Sequence, residues 1–427
     1  MTEIITKTEA GALLVGLVTP EISEDECQVS LDELERLADT AGIACFGRLC
    51  QNRMTPDPLT YIGKGKLEEA KAIIESNDIN IAIIDGELSP SQIKNIGEVL
   101  GDDDIEVIDR TMLILEIFEE HAHTSEGKLQ VEIAKLRYTL PRLVGKGKVM
   151  SRLGGGGGGA AGARRGAGET KLEIERRNAK ARIAALEEEI KQLGISRNLM
   201  RTRRQKSGIA NIAIAGYTNS GKSTLLNYLT NAGVLAENKL FATLDPTTRK
   251  LKLPNGSEVL LTDTVGLIRK LPHHLVQAFK STLDEINYAD LILLVSDISD
   301  PEHQTQIAVA KELLSEMGIT EKPIVTLYNK TDKIDKSEMP ERLPGVYISA
   351  KTGEGTEQLL QEIEEVLKSL RKSVVFVFPA GGKDQGYINY LYKNAAVSKV
   401  EYGENFTTVW ASADEKIRNM YKQYIAR

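Results

Sequence analysis

Ile209-Ala210-Asn211-Ile212-Ala213-Ile214-Ala215 runs without a break into Gly216-Tyr217-Thr218-Asn219-Ser220-Gly221-Lys222-Ser223. An apolar stretch of strand character thus opens onto the spacing GxxxxGKS, the strand–loop–helix context of a phosphate cradle. Its glycines let backbone N–H groups converge on one point, and a helix starting near Lys222 adds the partial positive charge of its N-terminus. In such a cradle Lys222 reaches the β- and γ-phosphates of a nucleotide and the Ser223 hydroxyl binds Mg²⁺. The bare spacing turns up by chance in roughly one or two chains per hundred of this length, so it needs support from elsewhere in the chain.

Three further stretches supply it. Asp263-Thr264-Val265-Gly266 follows the apolar run Val259–Thr262. Asp263 is expected to hold Mg²⁺ through water, and the Gly266 N–H to sense a γ-phosphate. Asn329-Lys330-Thr331-Asp332 follows the strand-like Pro323–Tyr328. The Asp332 carboxylate can accept from guanine N1–H and the 2-amino group, while Asn329 faces O6 and N7. Adenine would leave that carboxylate without a donor, and sites with unpaired buried groups reject a wrong ligand strongly. Ser349-Ala350-Lys351 is expected to support the base from its other side. The four stretches together predict a site for GTP over ATP.

Between them lies Phe241-Ala242-Thr243-Leu244-Asp245-Pro246-Thr247-Thr248-Arg249, placed where a nucleotide-sensing switch belongs. Thr243 is the expected Mg²⁺ ligand there, with Thr247 the next choice. Lys222, Thr243 and Gly266 are then the residues expected to act on the bond being broken. Leu267 follows Gly266 where many switch GTPases place a water-orienting Gln, and Leu cannot orient water. Slow intrinsic hydrolysis follows, with the missing group supplied by a partner, another residue or a cation. Asn219 is a candidate ligand for K⁺, although Asn is also a comfortable turn residue.

The remaining sequence frames this site. At 427 residues the chain can build two to four domains. No apolar run approaches 18 residues and no signal-peptide pattern opens the sequence, which places the protein in the cytoplasm with no membrane span. Cys27, Cys45 and Cys50 lack metal-ligand spacing and read as buried or surface thiols. The net charge of −7 is unevenly spread: from Lys135 to Lys206, nineteen Lys or Arg stand against six Glu. That segment carries +13 and the rest −20, which points one basic segment at a polyanion.

The pattern divides the chain in four. Residues 1–112 alternate apolar runs with helical spacings and predict a small parallel α/β domain. Gly63-Lys64-Gly65-Lys66 precedes one of its helices but lacks a Walker spacing, and reads first as a tight turn. Residues 113–207 carry two heptad seams, Leu129-Ile133-Leu136-Leu140-Leu143 and Leu172-Ala179-Ile183-Leu186-Ile190-Leu193, the marks of a helical hairpin. Its tip, residues 145–168, holds six consecutive glycines among purely basic charges and reads as a finger for a phosphate backbone, with a plain linker as the alternative. Residues 208–370 form the P-loop domain, and 371–427 a small α+β unit with no catalytic constellation.

At GYTNSGKS, FATLD, DTVGLIRKLPHHL and NKTD, preceded by RLGGGGGGAAGARRGAGETKLEIERR, the sequence resembles the HflX family of ribosome-associated GTPases across essentially its whole length. Leu267 fits that family's habit of an apolar residue at the Gln position. The resemblance implies a monomer whose basic segment, residues 129–206, docks on large-subunit rRNA. It further implies that the GTP form binds the 50S subunit, dissociates stalled or idle 70S ribosomes, and is stimulated by the ribosome to form GDP. Two other readings remain open: an RNA-remodelling or 50S-assembly factor with ATP use by the N-terminal domain, and a GTP-regulated protein-binding module.

Overall fold

A computed structural model of the chain describes residues 11–101, 104–144, 165–206, 209–230, 240–241, 246–269, 285–335, 343–380, 384–413 and 415–426. Residues 145–164 of the expected finger 145–168 and the switch residues 242–245, Thr243 among them, lie outside the described residues, while 165–168 belong to a helix. The chain separates into two compact units.

The first unit is built on a parallel sheet in the order β2-β1-β3-β4. Its strands are β1 (Gly11–Val18), β2 (Ala44–Asn52), β3 (Ile81–Ile84) and β4 (Glu106–Asp109). β1 is buried along nearly all of its length, as expected for an apolar run in a sheet covered on both faces. The connecting helices begin where the sequence provides caps. Ser23 and Glu26 form a capping box at α1 (Glu24–Thr40), and Ser89 with Gln92 forms another at α3 (Pro90–Leu100). α2 (Lys64–Asn77) starts at the GKGK stretch, where the Gly63 N–H is taken by Gln51 Oε1 at 2.7 Å. Leu13, Val15, Leu67, Ile74, Ile84 and Ile96 fill one side of the sheet.

α4 (Arg110–His121) springs directly from β4. Arg110 is 2% exposed and pairs with Glu33 at 2.7 Å and Asp85 at 2.9 Å, tying α1, the end of β3 and α4 together. α5 (Ser125–Thr139) follows, and Pro141 closes it into a turn of 3₁₀ helix at Leu140–Val144. Its buried apolar residues are Val131, Ile133, Ala134 and Tyr138, so Ile133 of the expected seam is buried while Leu129, Leu136 and Leu140 are half-buried. The reason is packing on α4, reinforced by the Tyr138 hydroxyl donating to Asp109. α6 (Arg165–Lys206) matches its expected seam: Ala179, Ile183, Leu186 and Ile190 are covered among exposed neighbours. Ion pairs Arg182–Glu132 and Arg137–Glu187 join it to α5.

The second unit holds a six-stranded sheet in the order β10-β9-β8-β5-β7-β6. β5 (Ala210–Gly216), β7 (Glu258–Asp263), β8 (Leu291–Asp297), β9 (Ile324–Asn329) and β10 (Val346–Tyr347) run parallel, and β6 (Thr247–Lys252) lies antiparallel on the edge beside β7. Three helices are described with it: α7 (Lys222–Thr230), α8 (His303–Glu316) and α9 (Thr356–Ser369). Leu225, Leu261, Leu293, Leu327, Ile348 and Ile363 share its core. The chain order reverses on either side of β5, the position where open α/β sheets bind ligands beyond the strand ends.

A three-stranded antiparallel sheet closes the chain: β11 (Lys372–Pro379), β12 (Ala396–Tyr402) and β13 (Phe406–Ala413), with β13 central. α10 (Asp384–Asn394) and α11 (Glu415–Met420) accompany it. Phe376, Phe378, Leu391, Val409 and Tyr421 form its core. Fold class and element order agree with the sequence reading.

Candidate functional site

Four loops at the carboxyl ends of β5, β7, β9 and β10 carry the motif residues. Gly216 ends β5 and Lys222 opens α7, so residues 217–221 form a tight loop at a helix N-terminus. Asn219 sits in this loop at φ 59°, a left-handed position that Asn tolerates better than most residues. Gly221, at φ 95°, has no such latitude: a Cβ there would lie 2.2 Å from Asn329 Nδ2.

The loops are braced against one another. Asn329 Nδ2 donates to the Ser220 carbonyl at 2.7 Å, and its Oδ1 accepts from the Ala350 N–H at 2.9 Å. One side chain thereby links the P-loop, NKTD and Ser349-Ala350-Lys351. Asn329 thus braces the loops at the place where the sequence reading sets it beside the base. Lys330, at φ 66°, donates to the Asn219 carbonyl at 2.8 Å and pairs with Asp297 at 2.7 Å. Asp297 was missed in the sequence reading; an acid at the end of the central strand Leu291–Asp297 was the available signal. The Lys330 ammonium also means that a cation already stands beside Asn219, the candidate K⁺ ligand.

Asp332 is oriented by Ser349, whose hydroxyl donates to Oδ1 at 2.6 Å. Ser349 is fully buried and its Oγ accepts from the Thr352 N–H at 3.1 Å, which fixes the rotamer. The carboxylate is thus presented at a set angle, the requirement for reading two donors on one purine edge. Lys351 follows on an exposed turn.

Lys222 is 6% exposed, and its ammonium donates to the Tyr217 carbonyl at 2.8 Å. Burial pushes its pKa down to about 8, partly opposed by nearby Asp263 and reinforced by Lys330. The Ser223 hydroxyl donates to Asp263 Oδ2 at 2.6 Å. A hydroxyl and a carboxylate at that spacing, all oxygen and beside an anion cradle, suit Mg²⁺. Among the described residues, no cluster of three or more His, Cys, Asp or Glu forms a protein-only metal cage. Thr218 Oγ1, Ser220 Oγ and Thr331 Oγ1 are buried without a hydrogen-bond partner in the protein, an arrangement that fits loops made to face a polar ligand. Thr264 is also buried, its hydroxyl donating to the Ile214 carbonyl at 2.8 Å, so it anchors the DTVG loop instead of facing outward. Val265 is buried beside it.

Phe241 falls in the first unit, where it is 3% exposed and its ring packs edge-on against Phe118. The neighbouring Leu240 N–H donates to Thr40 Oγ1 at 3.2 Å. Ala242, Thr243, Leu244 and Asp245 lie outside the described residues.

Family models match in order: the N-terminal region of GTP-binding GTPases over residues 28–119, their middle region over 121–204, and a 50S ribosome-binding GTPase over 211–330. GTPase HflX of Caldanaerobacter subterraneus is 46% identical over 423 residues, covering 99% of this chain and 95% of its own. That of Lacrimispora saccharolytica is 46% identical, covering 95% and 94%. That of Escherichia coli is 39% identical over 367 residues, covering 84% of each. A crystal structure of a GTP-binding protein from Sulfolobus solfataricus in complex with GDP is 27% identical, covers 84% of this chain and 99% of its own, and has a TM-score of 0.43. Likeness of this extent, joined to four nucleotide motifs in order, makes the chain a GTPase of the HflX family.

Proposed function

We propose that this GTPase binds the large ribosomal subunit in its GTP state, dissociates stalled or idle 70S ribosomes, and is stimulated by the ribosome to hydrolyse GTP to GDP and phosphate. The observation that carries the reading is the bracing of the nucleotide loops by Asn329, which supports a single guanine-nucleotide site formed by residues 216–223, 263–266, 329–332 and 349–351. Lys222 takes the β- and γ-phosphates and the Gly266 N–H takes the γ-phosphate. Asp332 reads the guanine edge, with Ser349 holding its carboxylate. Ser223 would hold Mg²⁺ directly and Asp263 through water; the ion neutralises charge on the phosphates. Thr243 completes that ligand set.

Leu267 is 3% exposed and apolar, so no side chain at the usual Gln position orders water. The protein therefore binds well and turns over slowly until a partner completes the site. The basic run from Lys135 to Lys206 supports rRNA as that partner through residues 129–206. The matched 50S ribosome-binding GTPase model favours the large subunit. A cytoplasmic monomer fits this work, and no described helix is long and apolar enough to cross a membrane.

The test is GTP turnover with and without purified 50S subunits, in K⁺ and in Na⁺, beside light scattering of 70S particles. Strong stimulation by 50S, with 70S dissociation supported by a non-hydrolysable GTP analogue, is expected. Turnover that ribosomes leave unchanged would overturn the ribosomal reading and keep the GTPase. ATP binding that survives Lys222→Ala would favour the alternative, RNA remodelling with the N-terminal domain. Replacing Gly154–Gly159 by a short linker is expected to spare GTP binding and weaken the action on ribosomes.

A further inference from the structure

The P-loop and the residues after Asp263 are stitched together. The Thr218 N–H donates to the Leu267 carbonyl at 2.9 Å, and the Leu267 N–H donates to the Gly216 carbonyl at 3.0 Å. The Tyr217 side chain adds a third bond, its hydroxyl oxygen accepting from the Arg269 N–H at 2.8 Å. Tyr217 and Leu267 are both buried, so these bonds form away from competing water. Gly266 lies hard against the loop: a Cβ there would stand 2.7 Å from Thr218 Cγ2, 2.9 Å from Thr218 Cα and 3.2 Å from Lys222 Nζ. The backbone has come as close to the cradle as glycine permits.

We propose that Tyr217 is a positioning residue that latches residues 266–269 onto the P-loop and thereby sets the preference between nucleoside diphosphate and triphosphate. The proposal rests on the nucleotide placement given above. A diphosphate ends within the loop. A γ-phosphate that takes bonds from both Lys222 and the Gly266 N–H has to stand where even a Cβ on Gly266 would lie only 3.2 Å from Lys222 Nζ. Seating it lifts residues 266–269 and breaks the two backbone bonds together with the Tyr217–Arg269 bond. The backbone bonds would form with any residue at 217; the hydroxyl bond belongs to Tyr alone. Tyr217→Phe keeps the ring and its packing and loosens the latch by one neutral hydrogen bond, a change of roughly three- to tenfold.

The experiment measures dissociation constants for GDP and for a non-hydrolysable GTP analogue, with Mg²⁺, on wild type, Tyr217→Phe and Lys222→Ala. Tyr217→Phe is expected to shift the ratio of the two dissociation constants roughly three- to tenfold in favour of the analogue over GDP. A general loosening of the loop would shift both nucleotides together and would overturn the latch. So would a ratio that stays the same or moves toward GDP. Lys222→Ala is expected to abolish binding of both. Binding that survives it removes the nucleotide placement, whereas a Lys222-dependent site with an unmoved ratio removes the latch alone.

Discussion

The ring of Phe241 meets the ring of Phe118 edge-on, with centroids 4.6 Å apart and planes at 74°. One partner belongs to α4 and the other to the stretch FATLD that sequence places in the nucleotide switch. Leu240 beside it is also buried, and its N–H is bound by Thr40 at the end of α1. Phe241 and its neighbour Leu240 are therefore held within the first unit through one ring contact and one backbone bond.

Removing that contact is expected to free them. An edge-on aromatic pair contributes about 0.5–1.5 kcal/mol beyond its buried area. Phe118→Ala should then speed hydrogen exchange at the Leu240 amide by roughly two- to tenfold at least, read by mass spectrometry of the peptide spanning it. Unchanged exchange at Leu240 would show that Thr40 alone holds the segment.

In the proposed site guanine is read by Asp332, whose carboxylate accepts from the Ser349 hydroxyl at 2.6 Å. Asp332→Asn is expected to weaken GTP binding and shift preference toward xanthine nucleotides, because the amide offers a donor where guanine also has one. Ser349→Ala removes a hydrogen bond to a charged group, of about 1.5–3 kcal/mol, so GTP affinity should fall about ten- to hundredfold with specificity kept. Competition binding with GTP, XTP and ATP reads both.

The first unit depends on a buried charge. Arg110 joins Glu33 and Asp85, and all three side chains are 2–4% exposed. Arg110→Ala leaves two carboxylates buried without their cation, which costs about 3–5 kcal/mol. Urea unfolding followed by hydrogen exchange in β1 and β3 should show that loss in the first unit, with the exchange of β5 and β8 unaffected.

Lys222 makes the stability of the second unit depend on pH. Its folded pKa of about 8 lies below the ordinary lysine value of 10.5. Between those two values the unfolded chain binds the proton and the folded chain does not, so stability rises with pH across that window. Below about 8 the cost of burying the ammonium is fully present. Lys222→Met should therefore raise the thermal midpoint of the nucleotide-free protein at pH 7 while abolishing GTP binding. The gap should narrow as pH climbs from 8 toward 10.5. A midpoint lowered at pH 7 would show that the bond to the Tyr217 carbonyl outweighs the burial cost.

Much of this was legible before folding was considered. The strand runs ending at Gly216, Asp263 and Asn329 were readable because parallel strands buried on both faces are continuously apolar. The helical spacings of residues 1–112 were legible too, whereas the capping boxes at Ser23 and Ser89 came to light only in the structure. The seam on α5 was right only in part: Ile133 is buried, but so are Val131, Ala134 and Tyr138 beside it, since heptad spacing cannot say which neighbour a helix prefers. There, Tyr138 and Asp109 decided the matter. Asp297 and the Tyr217 hydroxyl carried no periodic signal at all, because their partners are brought close only by the sheet.

Sequence alone determined which residues could meet a guanine nucleotide, and in what order. Phosphate, Mg²⁺ and purine chemistry demand particular side chains at short, local spacings, and local spacing survives in a one-dimensional string. Tertiary structure decided what those residues do to one another. Asn329 became a brace between three loops, Phe241 was drawn to Phe118, and Tyr217 was bound to Arg269. Asn329 reaches Ser220 across 109 positions and Phe241 reaches Phe118 across more than a hundred. At such separations the partner is chosen by strand order and packing, which no local pattern records.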